Sequence, residues 1–116
     1  MNLTLNFILL HVRDIAAERD FYKDALGLEV EGQSPDFVGF QSNGAATLAL
    51  STDGPAAPQH NVELWWQVDQ ADALHAALEQ RGVTIVSAPK DETFGRAFSA
   101  KDPEGNQINF YQPRQA

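Results

Sequence analysis

The stretch LHVRDIAAERDFYKDALGL at residues 10–28 decides the fold, because it joins a strand end, a helix and a helix stop in succession. The segment Leu3–Val12 ends inside this stretch. It is rich in Leu and Ile and predicts a buried strand. Asp14 is a suitable N-cap for a helix over Ile15–Leu26, and Gly27 stands where a helix C-cap belongs. The sequence therefore predicts a strand that leads directly into a helix.

Three short strands are predicted after this helix. They are Leu28–Glu31, Asp36–Gln41 and Ala46–Ser51, and turn-forming residues at Gly32–Pro35 and Ser42–Gly44 separate them. The first half of the chain thus has the order βαβββ.

The second half repeats this order after a linker at Thr52–Gln59, which contains two prolines and a glycine. Val12 corresponds to Val68 at an offset of 56, and the helix-stopping glycines Gly27 and Gly82 correspond at an offset of 55. The predicted elements are a strand, a helix and three strands, at Val62–Val68, Ala71–Arg81, Thr84–Ser87, Ala97–Ala100 and Gln107–Gln112. Recurrence of a whole supersecondary unit indicates an internal repeat.

These elements predict an α+β fold in which two βαβββ modules form a curved mixed-sheet cup with flanking helices. The modules are expected at about residues 1–52 and 60–114 of a single domain over residues 1–116. One module alone is too small to bury both faces of its sheet. A concavity lined by both sheets is therefore the expected place for a small-molecule site.

Composition narrows the function further. Hydrophobic residues make up 43% of the 116 residues, which is enough for a packed core, and the absence of cysteine excludes disulfides, thiolate metal sites and a cysteine nucleophile. The formal net charge of −8 argues against a nucleic-acid partner. The charge either serves solubility alone, which is the interpretation we favour, or also biases the chain toward cationic ligands, and charge alone does not decide between the two. No apolar stretch is long enough to span a bilayer, and Met1–Thr4 has no signal-peptide pattern, so no membrane partner and a cytoplasmic location are expected.

Several short motifs resemble one family when they are taken in order. They are Leu10–Asp14, Phe21-Tyr22, Leu26–Leu28, Val68–Asp72 with Arg81–Val83, Phe94–Arg96 and Asp102–Asn106. Together they cover nearly the whole chain and resemble the glyoxalase/bleomycin resistance/extradiol dioxygenase (vicinal oxygen chelate) superfamily. The resemblance implies paired βαβββ modules and a homodimer. The closing motif Asp102–Asn106 is also a turn sequence in its own right, and we interpret it as structural.

The resemblance also implies four metal-ligand positions in the metal-using members, two in each half. These positions fall on Phe7, Ala49, Glu63 and Asn109. Phe and Ala side chains cannot bind a metal, and one carboxylate with one amide falls short of a catalytic divalent site. No cofactor is therefore expected.

Strand alternation predicts the ligand-binding surface. Trp65 and Glu63 share one strand face and Trp66 takes the opposite one. If the helix covers the face of Trp66, Trp65 faces the concavity. The expected ligand-binding residues are Phe7, His11, Ala49, Glu63, Trp65, Asn109 and Arg96. This set suits a small aromatic or cationic ligand through stacking and cation–π contact.

A structural interpretation stands beside each of these assignments. Phe7 and Trp65 could fill the space between the sheets, His11 could bond to backbone or water, and for Arg96 we favour pairing with a structural acid. His60 in the linker and His75 on the helix are expected to be exposed.

Three functions remain open on the sequence. The leading one is a metal-independent small-molecule binding protein that resembles the bleomycin-resistance, antibiotic-sequestering proteins. The alternative is a glyoxalase-like lyase, isomerase or dioxygenase relative that uses Glu63 or His11, with a metal completed by water or by a partner chain. The third is a module with a filled cavity that acts through its dimer surface.

Overall fold

The computed structural model describes residues 3, 5–54 and 63–114 and divides the chain into two units, Met1–Ala57 and Pro58–Ala116. The first unit contains β1 (Phe7–His11), α1 (Ile15–Asp20), a π-helical turn (Phe21–Ala25), β2 (Val30–Ser34), β3 (Phe37–Phe40) and β4 (Thr47–Ser51). The second unit contains β5 (Leu64–Gln67), α2 (Ala71–Gln80), β6 (Thr84–Glu92), β7 (Gly95–Lys101) and β8 (Gln107–Pro113). No helix in the described part of the chain is long and apolar enough to cross a membrane.

Both units have the same sheet topology. The strand orders are β1-β4-β3-β2 and β5-β8-β7-β6, and in each sheet the first strand is parallel to the last one while the other neighbours are antiparallel. The registers also correspond, because Leu9 pairs with Ala49 in the first unit and Trp65 pairs with Asn109 in the second. The predicted α+β fold of two βαβββ modules is therefore confirmed.

In the first unit the helix begins at Ile15 as the sequence predicts, but the predicted helix Ile15–Leu26 is α-helical only over Ile15–Asp20 and continues as the π-helical turn Phe21–Ala25. The Asp14 carboxylate accepts a hydrogen bond from the backbone N–H of Ala17 at 3.1 Å and so caps α1. Tyr22, in the π-helical turn, is completely buried, and its ring centroid lies 5.9 Å from that of Phe40 on β3. Gly27 adopts a positive φ of 80° after the turn, a conformation that glycine takes without strain. These contacts fix the helix on one face of the first sheet.

In the second unit the helix α2 is attached to its sheet by side chains that are distant in sequence. Gln70 at the N-cap makes no side-chain cap, and instead the Gln112 Oε1 atom on β8 accepts a hydrogen bond from the Ala71 N–H at 2.9 Å. Arg96 on β7 donates to both carboxylate oxygens of Asp72, at 2.9 and 3.1 Å, and to Asp91 on β6 at 3.0 Å. Hydrogen bonding to Asp72 and then to Asp91 raises the pKa of Arg96 above its usual value.

Three predicted strand boundaries differ from the structure by three residues or more. Strand β1 begins at Phe7 rather than Leu3, and β2 runs through Gly32–Ser34, which the sequence marks as a break. Strand β6 continues to Glu92 rather than ending at Ser87. Its Pro89 is tolerated because β6 is the edge strand of its sheet, where a missing N–H need not disrupt a ladder. The predicted strand start at Val62, His60 and most of the linker lie outside the described residues.

The prediction for His75 is also wrong. Its side chain is only 18% exposed, and the ring lies edge-on to Phe98 with a centroid distance of 5.4 Å. The helix turns His75 toward the sheet, where the imidazole body packs on an apolar ring while Nδ1 lies 3.7 Å from Glu79. His75 therefore belongs to the contact between α2 and the second sheet.

The Asp102 side chain fixes the turn before β8. Its Oδ1 accepts hydrogen bonds from the backbone N–H groups of Glu104 and Asn106, and its Oδ2 accepts one from the Asn106 side chain, at 2.9–3.0 Å. Asp102 and Asn106 are both buried. These bonds lie within the turn itself, in agreement with the structural interpretation of this motif.

We predict that Gly95→Ala destabilises the second unit by about 2 kcal/mol or more, because a Cβ there would collide with the Gln112 carbonyl and Gly95 has a positive φ. Gly32→Ala is the matched control, since Gly32 also lies in a strand but has open space around its Cβ position and no left-handed φ. Urea unfolding of both variants measures the difference. Equal stabilities for the two variants would contradict the prediction.

Candidate functional site

One face of the second sheet is free of the helix. Helix α2 covers the other face, through the Gln112 and Arg96 contacts and through the ring contact of His75 with Phe98. The free face carries a row of one residue per strand, formed by the paired positions Trp65, Asn109, Ser99 and Ser87. Trp66 pairs with Phe110 on the helix face, so the two adjacent tryptophans point in opposite directions as strand alternation requires.

Three aromatic rings stand together on this free face, and we call Trp65, Phe94 and Tyr111 the aromatic trio. Their ring centroids lie 5.6 Å apart for Trp65 and Phe94 and 6.1 Å apart for each of the pairs with Tyr111. The interplanar angles of 69–85° show that no two of the rings are stacked face to face. Trp65 is 46% exposed and Phe94 is 48% exposed. The trio therefore presents aromatic surface to a further planar group.

A shallow cavity of about 270 Å³ opens beside the trio. It is lined by Trp65, Ser87, Glu92, Phe94, Ala97, Phe98, Ser99 and Asn109. Its volume of about 270 Å³ lies just below the range of about 300–1,000 Å³ that is typical of small-molecule pockets. Apolar walls with a few convergent polar groups are the usual composition of such pockets.

The polar side chains of the cavity are held by hydrogen bonds. The hydroxyls of Ser87 and Ser99 lie 2.8 Å apart, and either can be the donor. Asn109 donates from Nδ2 to the Leu64 carbonyl at 3.3 Å and accepts at Oδ1 from Gln107 at 3.1 Å. The cavity therefore combines an oriented amide with a hydroxyl pair.

Glu63 lies next to the trio and orients the ring of Trp65. Its Oε1 atom accepts a hydrogen bond from the indole N–H of Trp65 at 3.0 Å. Both side chains are exposed. The predicted pair of Glu63 and Trp65 is thus brought together, with the carboxylate engaged by the indole.

The four positions at which metal-using family members would bind an ion do not fit a metal. Phe7 and Ala49 have no donor atom, Glu63 is bonded to Trp65, and Asn109 is engaged at both its oxygen and its nitrogen. Across residues 3, 5–54 and 63–114, no three His, Asp or Glu side chains come close enough together to hold a metal ion.

The other predicted site residues lie apart from this cavity or in the first unit. Phe7 is 49% exposed, whereas Ala49 is completely buried on β4. His11 is half-buried at the end of β1, with its ring against Gly54, and its Nδ1 atom has no hydrogen-bond partner among the described residues. Arg96 is held by Asp72 and Asp91, the structural pairing that we favoured.

A second, larger cavity of about 670 Å³ lies near the β6–β7 turn. Its lining is mostly polar and consists of Asp91, Glu92, Thr93, Gly95, Arg96, Gln112, Pro113 and Arg114. The side chains of Arg96 and Gln112 are already committed to Asp72, Asp91 and the α2 N-terminus. This cavity offers no aromatic surface and is the weaker candidate.

Sequence reasoning missed seven members of the site, namely Ser87, Glu92, Phe94, Ala97, Phe98, Ser99 and Tyr111. Tyr111 could have been found, because it lies two residues after Asn109 on the same strand and so shares its face. Ser99 could have been found in the same way only with the register of β7 against β8. Phe94 lies in the two-residue turn between β6 and β7. The alternation of side chains between the faces of a strand does not extend into a turn, so it does not predict where the Phe94 ring points.

Comparison with known proteins agrees with the fold. The family profile described as "Glyoxalase/Bleomycin resistance protein/Dioxygenase superfamily" matches residues 4–110. The phenazine antibiotic resistance protein EhpR of Enterobacter agglomerans is 25% identical over 115 residues, which cover 91% of this chain and 89% of that protein.

Two solved structures from Streptomyces sp. CB03234 are similar to this chain at 28% identity. The antibiotic binding protein TnmS3 has a TM-score of 0.84 and covers 97% of this chain and 98% of its own. A glyoxalase/bleomycin resistance protein has a TM-score of 0.78 and covers 94% of this chain and 100% of its own. The relatives of this chain thus include antibiotic-binding proteins, and the chain belongs to the glyoxalase/bleomycin resistance protein/dioxygenase superfamily.

Proposed function

We propose that this chain is a metal-independent binding protein that sequesters a small planar aromatic molecule on the free face of its second sheet. The observation that carries the proposal is the exposed aromatic trio beside a cavity of about 270 Å³. Stacking on such rings and burial of apolar area supply affinity without a covalent or metal-dependent step. The similarity to EhpR and to TnmS3 supports an antibiotic or a related aromatic compound as the ligand.

The catalytic alternative lacks a comparable observation. A lyase, isomerase or dioxygenase relative would need Glu63 or His11 to act with a metal. Glu63 is turned to the indole of Trp65, and His11 is placed against Gly54 in the first unit. Among the described residues, neither side chain belongs to a group of three or more His, Asp or Glu that could hold a metal ion.

We predict that Trp65→Ala weakens the binding of phenazine at least tenfold, because it removes a stacking surface and opens the cavity wall. Phenazine is the compound class in the name of EhpR. The control variant is Val86→Ala, which removes another exposed apolar side chain of the same unit that does not line the cavity. Isothermal titration calorimetry measures both affinities. Equal affinities for the two variants, or no binding by the unmodified protein, would contradict the proposal.

We predict that chelation with EDTA leaves phenazine binding unchanged. The positions that would hold a metal carry a Phe, an Ala, a Glu that accepts a hydrogen bond from the Trp65 indole, and an Asn whose oxygen and nitrogen both make hydrogen bonds. Titration calorimetry before and after chelation, with metal analysis of the untagged protein, provides the measurement. A stoichiometric divalent ion together with metal-dependent turnover would favour the enzyme instead.

We also propose that the chain forms a homodimer, as the resemblance to its family implies. The expected result of sedimentation velocity is a species of twice the monomer mass of 12.7 kDa. A purely monomeric distribution over the concentrations used for ligand binding would contradict this expectation without affecting the cavity.

A further inference from the structure

We infer that the cavity selects uncharged or cationic planar heterocycles that carry an in-plane hydrogen-bond acceptor, and that it rejects anionic ones. The inference rests on the proposed function and adds the chemistry of the ligand. Three features of the described residues carry it: the hydroxyl pair of Ser87 and Ser99, the carboxylate of Glu92, and the arrangement of the nearby cations.

The hydroxyl pair always keeps one proton that is not used inside the pair. When one serine donates to the other across 2.8 Å, the acceptor serine still has its own O–H to donate. Both serines line the cavity, so this proton is within reach of a bound molecule. A ring nitrogen or a carbonyl oxygen in the ligand plane is the group that can accept it.

The backbone of β6 is irregular on both sides of Ser87. The register with β7 shifts between Ile85 and Ser87 and again between Ser87 and Lys90. Bulges commonly lie next to functional sites, where they redirect a side chain. Ser87 is the paired position between the two shifts, and its partner there is Ser99. The irregular strand thus presents one hydroxyl pair to the cavity.

Glu92 gives the cavity wall a negative charge. No Lys or Arg lines this cavity, and the Lys90 ammonium that lies 3.4 Å from Glu92 is 75% exposed. Lys90 itself does not line the cavity. Arg96 is occupied by Asp72 and Asp91. An anionic ligand would therefore meet the Glu92 carboxylate in a cavity whose lining holds no cation, whereas a cation would gain from Glu92 and from the aromatic trio.

The net charge of the chain acts in the same direction. The formal charge of −8 repels anions and attracts cations at long range. Glu92→Gln changes the net charge only from −8 to −7, so the long-range attraction is almost unchanged and a large effect of this substitution is local.

Three related tricyclic probes test the inference in titration calorimetry at pH 8. Acridine is uncharged at this pH and has an in-plane acceptor nitrogen, acridine-9-carboxylate adds a negative charge, and 10-methylacridinium is cationic and has no free lone pair on its nitrogen. We expect the unmodified protein to bind acridine at least tenfold more tightly than acridine-9-carboxylate. Glu92→Gln is expected to reduce this preference at least threefold.

The double variant Ser87→Ala/Ser99→Ala tests the hydroxyl pair. We expect its affinity for acridine to fall at least threefold more than its affinity for 10-methylacridinium, because only acridine can accept the hydrogen bond. Ser87→Thr, which keeps a hydroxyl, is expected to retain the ratio of acridine affinity to 10-methylacridinium affinity that the unmodified protein has. Thermal melts of the variants and of the control Val86→Ala show separately whether a variant is folded.

Each of the following results would overturn the inference. The first is an equal loss of affinity for acridine and for 10-methylacridinium in the double serine variant. This result would mean that the hydroxyl pair is only a structural contact between the two strands. The second is an acridine to acridine-9-carboxylate ratio that Glu92→Gln does not change. Failure of all three tricycles to bind the unmodified protein would overturn the proposed function itself, and the inference with it.

Discussion

In each unit the first strand pairs in parallel with the last one, and this pairing sets which side chains reach each face of the sheet. In the second unit it places Trp65 beside Asn109 and Trp66 beside Phe110. Since successive side chains of a strand point to opposite faces, this register assigns one tryptophan to the helix and the other to the free face. A slip of one residue would exchange the two and remove the aromatic surface from the cavity.

The attachment of helix α2 decides which face remains free. Gln112 and Arg96 project from the even-numbered positions of β8 and β7 and bind the start of the helix. Phe98 and Phe110 are stacked on the same side with a centroid distance of 4.8 Å. The intervening odd-numbered residues, among them Ser99 and Asn109, are thereby left on the opposite face. Structural contacts on one side of the sheet thus define the candidate binding surface on the other.

Much of this arrangement could be predicted from the sequence. Asp14 and Gly27 mark the ends of the first helix, and the alternation along β5 separates Trp65 from Trp66. Other features depend on contacts between distant residues. Gln112 caps a helix that begins 41 residues earlier, and the two shifts of register that isolate Ser87 appear only when β6 is paired with β7. No local pattern carries that information, because register is a property of two strands together.

The motifs near the end of the chain contain both structural residues and residues that face the candidate site. Asp102 is occupied by three hydrogen bonds within its turn, and Arg96 is occupied by two carboxylates. Phe94, two positions before Arg96 in the same motif, is exposed in a turn beside Trp65. Neighbouring residues of one motif therefore have different tasks, and the structure distinguishes them by what each side chain touches.

The two tryptophans allow the central claim to be tested in one experiment. The chain contains only Trp65 and Trp66, so a ¹H–¹⁵N spectrum has two indole N–H signals. On titration with phenazine, we predict that the indole signal of Trp65 shifts, because this ring lies at the cavity, while the signal of Trp66 on the helix face stays in place. A shift of the Trp66 signal with the Trp65 signal unmoved would contradict the account.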